Sequence, residues 1–510
     1  MTPSSELHQL IHSLDKKEKA WFRSWCGPAA TSTDYMQVFD VILKQKQYDE
    51  AALKQHFKGR SFLTRLPAVK NYLFAQVLDA LCALHQPDNA QAAASAEMLA
   101  ASLLIRKGMF QAASKRLNRL YPRLIEKELF LHALEALALK KQLTRHFDPL
   151  TMEAKMEGLI REEKELIEQY ANLSAYQHLS DRFDLNRRRS LVPRTTKEEK
   201  VFRDLLSNPL LTSAAKARSF EARYFFHRLN ANCNLLLGNL DKTMQHRRKL
   251  AELFERLPSP TPLQISKYSG VLFDLAVVHR SQRNFDVALA INRQLMQLNA
   301  QYPQFRTENN KSVVFKRSAI IESDVLQCAG RFAEGVQRVS YWEKNLHRYG
   351  TLIEKDIELI LRYNIALLYY GDGKMRKALQ WLNSIINEHE HDYVQDVVSF
   401  ARIFRLFIHI DIGNDELIGS IARSTSNYLD RRRRLYTTEN LLLRFALTLA
   451  KPITREKQRI VYQQLLQQLQ KLRQNRFEQA ALEYFDCISW LRAQLENRPF
   501  AEVFRERHKQ

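Results

Sequence analysis

Apolar residues recur along this chain with the spacing of an α-helix. Between Met152 and Leu173, for example, Leu159, Ile160, Leu166 and Ile167 repeat at intervals of three to four residues. The chain also contains only 13 glycines and 14 prolines in 510 residues, fewer than tight turns between strands require. Both features predict an all-α protein whose helices are joined by short connections.

A short motif recurs where one predicted helix ends and the next begins. A glycine or polar residue is followed two positions later by an aromatic or apolar residue, and three positions after that by a small one. The clear copies are Gly108-x-Phe110-x-x-Ala113, Gly238-x-Leu240-x-x-Thr243, Arg283-x-Phe285-x-x-Ala288, Gly330-x-Phe332-x-x-Gly335 and Gly373-x-Met375-x-x-Ala378, with looser copies at Lys46 and Gly413.

Each part of the motif has a physical role. The glycine suits the positive φ that often ends a helix. The aromatic residue fills the wedge between two helices, and the small residue lets them approach closely. The motif therefore predicts tandem helical hairpins in a solenoid of tetratricopeptide (TPR) type. The last five turns, at 238, 283, 330, 373 and 413, are 45, 47, 43 and 40 residues apart. The usual TPR period is about 34, so helices or connections must be longer here.

The ends of the chain depart from the repeat. We expect an N-terminal helical cap region over residues 1–85, with two short helices, one of them opened by a capping box of Asp15 and Glu18. The solenoid covers 86–450, where the interval from 108 to 238 has room for about two further hairpins. A C-terminal helical cap covers 451–510 and ends in a helix at Glu483–Trp490, because solenoids need atypical caps to cover their last apolar face.

Three segments resemble an uncharacterised family of bacterial TPR-like proteins. They are Leu14–Phe22, the stretch that runs from Leu367–Gly373 through Arg423–Leu429, and Glu483–Trp490, and the resemblance runs the full length of the chain. It implies the same helical-repeat fold. It carries no catalytic residues to this sequence.

Charge adds a second theme, since the chain carries a net charge of +22. Such a charge favours anionic partners such as nucleic acid, acidic proteins or an anionic membrane surface, although a solvated basic surface would look the same. Arginine runs followed by aromatic residues suit phosphate binding and base stacking, but they could equally neutralise helix ends. The basic-patch candidates are Arg187, Arg188, Arg189, Arg247, Arg248, Arg431, Arg432, Arg433 and Arg434, with a further basic segment from Lys54 to Lys70.

The first helix of each TPR hairpin lines a concave groove, so distance from the turn predicts which side chains face a partner. Arg228 and Asn232 resemble half of a clamp for a peptide carboxylate, but Gly270 and Asp274 stand where its other basic residues belong. The mixed lining still suits an extended peptide or a partner helix, although some apolar members could simply pack between helices. The groove candidates are Arg228, Asn232, Phe273, Arg280, Arg317, Gln327, Tyr363 and Tyr370.

The sequence contains none of the common catalytic motifs, such as G-x-x-x-x-G-K-[ST], H-E-x-x-H or G-x-S-x-G. His389 and His391 would point about 200° apart on a helix, so the polar segment around them is predicted to be a loop. The five cysteines are far apart, which predicts neither a disulfide framework nor a zinc site, and most are expected in the core of a reduced, cytoplasmic protein. We expect no signal peptide, no membrane span, no cofactor and no metal.

Two hypotheses follow for function. The first is a non-enzymatic scaffold that binds a peptide or protein partner in its groove. The alternative is nucleic-acid binding, in particular of RNA, through the basic clusters. The sequence predicts neither the identity of the partner nor the oligomeric state.

Overall fold

The computed structural model describes residues 3–86, 89–146, 149–189, 193, 195–387, 395–475, 478, 481–482 and 484–509. Over these residues the chain forms 24 α-helices and a few short 3-10 turns, without a strand. The chain divides into two compact units, Met1–Tyr170 and Ala171–Gln510. The division falls inside one long helix. It does not test the predicted boundaries at 85 and 450, which stay predictions.

The first unit begins with a small bundle in which helices α1, α2 and α3 pack on α5 around Leu7, Phe22 and Phe39. Helices α6, α7 and α8 then pack on one another. The helices of this unit are α1 Pro3–Ser13, α2 Lys16–Cys26, α3 Asp34–Lys44, α4 Glu50–His56, α5 Leu66–His85, α6 Ala90–Arg106, α7 Phe110–Glu126, α8 Phe130–Thr144 and the first half of α9 Pro149–Arg189.

Five helices, not the expected two, occupy the first 85 residues. Helix α4 has only 7 residues, which is too short for a clear periodic pattern. The capping box is confirmed, because the Asp15 carboxylate accepts from the Glu18 amide and the Glu18 carboxylate accepts from the Asp15 amide. In the basic segment, Lys70 is buried and pairs with Glu50 at 3.0 Å.

The second unit is an array of helical hairpins. Each first helix packs on its own second helix, and each second helix packs on the next first helix. The helices are α10 Thr196–Leu206, α11 Phe220–Leu236, α12 Leu240–Glu255, α13 Pro262–Ser281, α14 Phe285–Gln301, α15 Glu308–Cys328, α16 Phe332–Tyr349, α17 Lys355–Gly371, α18 Met375–Ile386, α19 Gln395–Ile412, α20 Asp415–Arg431, α21 Thr437–Leu449, α22 Arg455–Leu472, α23 Cys487–Glu496 and α24 Phe500–Lys509.

The hairpin turns have the predicted geometry. The glycines of the motif have positive φ, between 67° at Gly330 and 79° at Gly238. Arg283 takes the same left-handed conformation, with φ of 64°, although it is not glycine. A turn of this kind costs a non-glycine residue some strain, which the packing of the two helices must offset.

The small residues of the motif allow close contact between helices, as predicted. Ala113, Thr243, Ala288 and Ala378 are all fully buried. At Gly335, a Cβ atom would lie 2.5 Å from Cδ2 of Leu368, so the approach of α16 to α17 leaves no room for a side chain. The all-α fold of tandem hairpins is therefore confirmed.

Two local expectations are wrong. The interval between the turns at 108 and 238 holds α8, α9 and α10 between its flanking hairpins, one helix fewer than two hairpins need. Helix α9 replaces a hairpin with a single helix of 41 residues. The last aromatic segment becomes helical only at Cys487, because Asp486 caps α23 by accepting from the Ser489 amide, and Tyr484 and Phe485 lie before the helix.

Candidate partner-binding face

The first helices of the hairpins present the face that was predicted to bind a partner. The first-helix face is our name for the side of these helices that was predicted to line the groove. It is formed by α11, α13, α15, α17 and α19. Its two ends differ. At α17 and α19 the face is apolar and covered by another part of the chain, whereas at α11, α13 and α15 it is charged and half-exposed.

The cover at α17 and α19 is the chain's own C-terminal segment, residues 484–509. Tyr363 of α17 donates its hydroxyl proton to the Tyr484 carbonyl at 2.9 Å. Tyr370 of α17 lies with its ring centre 5.7 Å from Phe485 and 5.1 Å from Phe500. Both tyrosines are buried. Two of the predicted partner-contacting residues thus contact the chain itself.

Helix α19 contributes three phenylalanines to the same contact. The Phe400 ring stacks on Tyr484 with centres 4.3 Å apart, Phe404 lies 4.5 Å from Phe485, and Phe407 meets Trp490 edge-on at 4.8 Å. Trp490 is fully buried. Aromatic pairs in these arrangements contribute about 0.5–1.5 kcal/mol each beyond the area they bury, so the segment is held firmly.

Asp411 is the polar centre of this contact. One carboxylate oxygen accepts from Trp490 Nε1 at 2.9 Å and from Gln494 Nε2 at 2.7 Å, and the other accepts from the Tyr370 hydroxyl at 2.7 Å. Burial raises the pKa of Asp411 to about 6, although the three donors oppose that shift. The carboxylate therefore fixes both the covering helix and the helix it covers.

At α11, α13 and α15 the first-helix face carries charged side chains that connect neighbouring helices. Arg228 of α11 binds Asp184 of α9 at 2.9 Å, and Arg280 of α13 binds Asp324 of α15 at 2.8 Å. Glu221 of α11 is likewise ion-paired with α13. These ion pairs are partly exposed, and they set the register between hairpins more than they add stability.

Arg317 of α15 lies across the face toward α13. It donates to the Ser266 carbonyl at 2.7 Å and to the Ser269 hydroxyl. A Cβ atom on Gly270 would lie 3.4 Å from its guanidinium, so the glycine makes space for this arginine. The second half of the carboxylate clamp would require a basic side chain at that same position.

Asn232, the other half of the clamp, is buried rather than facing a partner. It accepts from Arg247, which is 2% exposed and binds Asp274 at 2.5 Å. Asp274 thus neutralises an internal arginine instead of binding a ligand. Of the two remaining groove candidates, Phe273 is half-buried against the cores around α13 and α15, and Gln327 is half-exposed on α15.

The basic clusters are split by the fold. Arg247 and Arg434 are buried, and Arg434 lies 3.5 Å from Asp396. Arg187 and Arg248 are exposed, as are Arg431 and Arg433. The described part of the chain does not include the side chains of Arg188 and Arg189 or any of Arg194. It also excludes the segment 388–394, which contains His389 and His391.

The sequence reasoning predicted Arg432, at the end of α20, but missed Arg402 and Arg405 of α19. Arg402 and Arg432 lie against the ring of Tyr428, and Arg405 lies one turn along α19 from Arg402; we call these three the arginine cluster. The guanidinium carbons of Arg402 and Arg432 lie 4.2 and 4.1 Å from the ring centre. The available signal was a pair of arginines three residues apart on a helix rich in apolar residues.

Other expectations can be compared with the structure over the described residues. No group of three metal-ligating side chains occurs among them. None of their helices combines the length and the apolar character that crossing a bilayer requires. Cys233 and Cys487 are buried, Cys26 and Cys328 are half-buried and Cys82 is exposed, so fewer than half are core residues.

The hairpin array places the chain in the class of helical-repeat proteins of TPR type. No family model matches the sequence, and no curated protein matches it. Among solved structures, the TPR domain of P58(IPK) matches over 86% of this chain and 100% of its own, with 12% identity and a TM-score of 0.24. A TM-score that low does not support any conclusion about this chain. Its assignment to the TPR-type class is therefore based on the observed hairpins, and membership of a bacterial family stays a prediction.

Proposed function

We propose that this protein is a non-enzymatic scaffold that binds a peptide or helix of a protein partner on the first-helix face of α11, α13 and α15. The observation that supports the proposal is the C-terminal segment on α17 and α19. Aromatic side chains and a few hydrogen bonds hold this segment, which includes helix α23, on a neighbouring part of the face. This is how helices bind in grooves between proteins.

The open part of the face differs in chemistry from the covered part. Lys267 and Asp274 are half-exposed on α13, and Val277 lies one turn beyond Asp274. A partner segment there would bury apolar side chains beside Val277 and place polar groups near the ion pairs. The C-terminal segment, with its aromatic residues, matches the apolar face instead, so the two faces select different ligands.

Photo-crosslinking tests this proposal with a matched control. A photoreactive amino acid replaces Val277 on α13 or, as the control, Val287 on α14, the second helix of the same hairpin. The side chain of Val287 is 44% exposed. We expect a protein adduct at position 277 that survives nuclease and high salt, and none at 287. Adducts that disappear with nuclease would favour the RNA alternative, because phosphate-driven binding falls steeply with salt. Equal labelling at both positions would refute the proposed face.

A further inference from the structure

The arginine cluster has more positive charge than its surroundings neutralise. Among the described residues, no carboxylate lies within ion-pairing distance of Arg402, Arg405 or Arg432. Arg434, two residues further along the chain, has Asp396 as its partner. Two of the three guanidinium groups lie against one tyrosine ring, and none of the three has a counter-charge from the described residues.

The cluster also leaves hydrogen-bond donors unused. The Nε atoms of Arg402, Arg405 and Arg432 are inaccessible to solvent and have no acceptor among the described residues. Within the same part of the chain, Arg405 Nη1 donates to Asn383 Oδ1 at 3.4 Å. Buried N–H groups are almost always paired in native proteins, so three donors without an acceptor in the described structure are available to a bound ligand.

Burial and mutual repulsion affect the same groups. Burial lowers the pKa of Arg402; Tyr428 opposes that shift, and the positive charge of Arg432 adds to it. Burial and the charge of Arg402 together lower the pKa of Arg405. Burial also lowers the pKa of His409, one turn along α19, and the charge of Arg405 adds to that shift. A bound anion would offset this repulsion.

We propose that Arg402, Arg405 and Arg432 form a binding site for a phosphate monoester. A monoester carries a charge of about −1.5 to −2 and offers three acceptor oxygens in one place, which suits three neighbouring guanidiniums. Forked guanidiniums also fit phosphate oxygens in pairs. A phosphodiester backbone spreads single charges along a strand, and the Tyr428 ring is already occupied by two arginines rather than open for stacking a base.

The test compares ligands and variants of the full chain. Binding of phenyl phosphate is measured by calorimetry at fixed ionic strength, with chloride as the reference salt. The variants are Arg405→Gln and Arg402→Gln, with Arg431→Gln as the control, because Arg431 is exposed and adjacent to the cluster in sequence. We expect about tenfold weaker binding in the first two, the loss of one charge-assisted contact, and no change in the control.

Two further arms complete the design. Arg405→Lys keeps the charge but loses the fork, so we expect intermediate binding that also covers the case in which Arg405→Gln does not fold. A single-stranded oligouridylate is the diester probe, and its binding should not depend on Arg405. The proposal is overturned if phenyl phosphate binds no better than chloride, if Arg431→Gln weakens binding equally, or if the oligonucleotide shows the same dependence on Arg405.

Discussion

Removing Trp490 should uncouple the C-terminal segment from the face it covers. The indole is fully buried, meets Phe407 and Tyr462 and donates to Asp411. Truncating a buried tryptophan to alanine lowers the free energy of unfolding by about 3–5 kcal/mol. That figure includes the loss of one hydrogen-bond donor to Asp411. Trp490→Phe keeps most of the ring and loses only the donor, so we expect about 1–2 kcal/mol.

Hydrogen exchange is the suitable assay because a hairpin array need not unfold in one step. A loss of about 4 kcal/mol corresponds to about a thousandfold lower protection. We expect that loss in peptides from α17, α19 and α23 of Trp490→Ala. The control is Trp25→Ala, whose ring is 47% exposed and lies in the first unit. If α17 and α19 exchange alike in both variants, the segment covers the face without stabilising it, and the reasoning fails.

Three other changes test separate parts of the structure. Ala378→Leu places extra volume in a fully buried hairpin contact and should cost about 1–3 kcal/mol in urea unfolding. Asp274→Asn leaves the buried Arg247 without its counter-charge and should cost about 3–5 kcal/mol by the same measurement. Burial and the nearby His246 lower the pKa of His227 to about 4. The unfolded chain therefore binds a proton at His227 more readily than the folded chain, so stability is full above pH 6.5, the pKa in the unfolded chain, and is lost as pH falls toward 4. His227→Gln should flatten that part of the pH–stability curve.

Matched substitutions at exposed positions serve as controls for these three. Ala290→Leu lies on the solvent side of α14, Asp286→Asn removes an exposed carboxylate, and His347→Gln removes an exposed imidazole. Each should change the unfolding free energy by about 0.5 kcal/mol or less. Equal effects at the buried and exposed members of a pair would mean that the proposed contact does not contribute.

The repeat motif predicted the hairpins because its parts respond to local geometry. The positive φ at Gly238 favours glycine, and the close approach of two helices at Ala288 requires a small side chain, so each requirement is visible in the residue type. Helix α9 could not be predicted in the same way, since one long helix and a degenerate hairpin share the same apolar spacing. The site was predicted least well. Arg228 and Asn232 fit a ligand clamp by spacing, but their partners Asp184 and Arg247 come from other helices.

The change of chemistry along the first-helix face explains which part is covered. Helix α17 is buried almost all round from Leu359 to Gly371, more than its neighbouring hairpins alone can cover, and a helix of that character needs a further layer. The C-terminal segment supplies it. On α13 the same face carries Lys267 and Asp274, whose charges would lose solvation under an aromatic cover. The point where tyrosine gives way to arginine and aspartate along successive first helices therefore sets how far the chain can cover itself. The charged end beyond that point is where we propose that a partner binds.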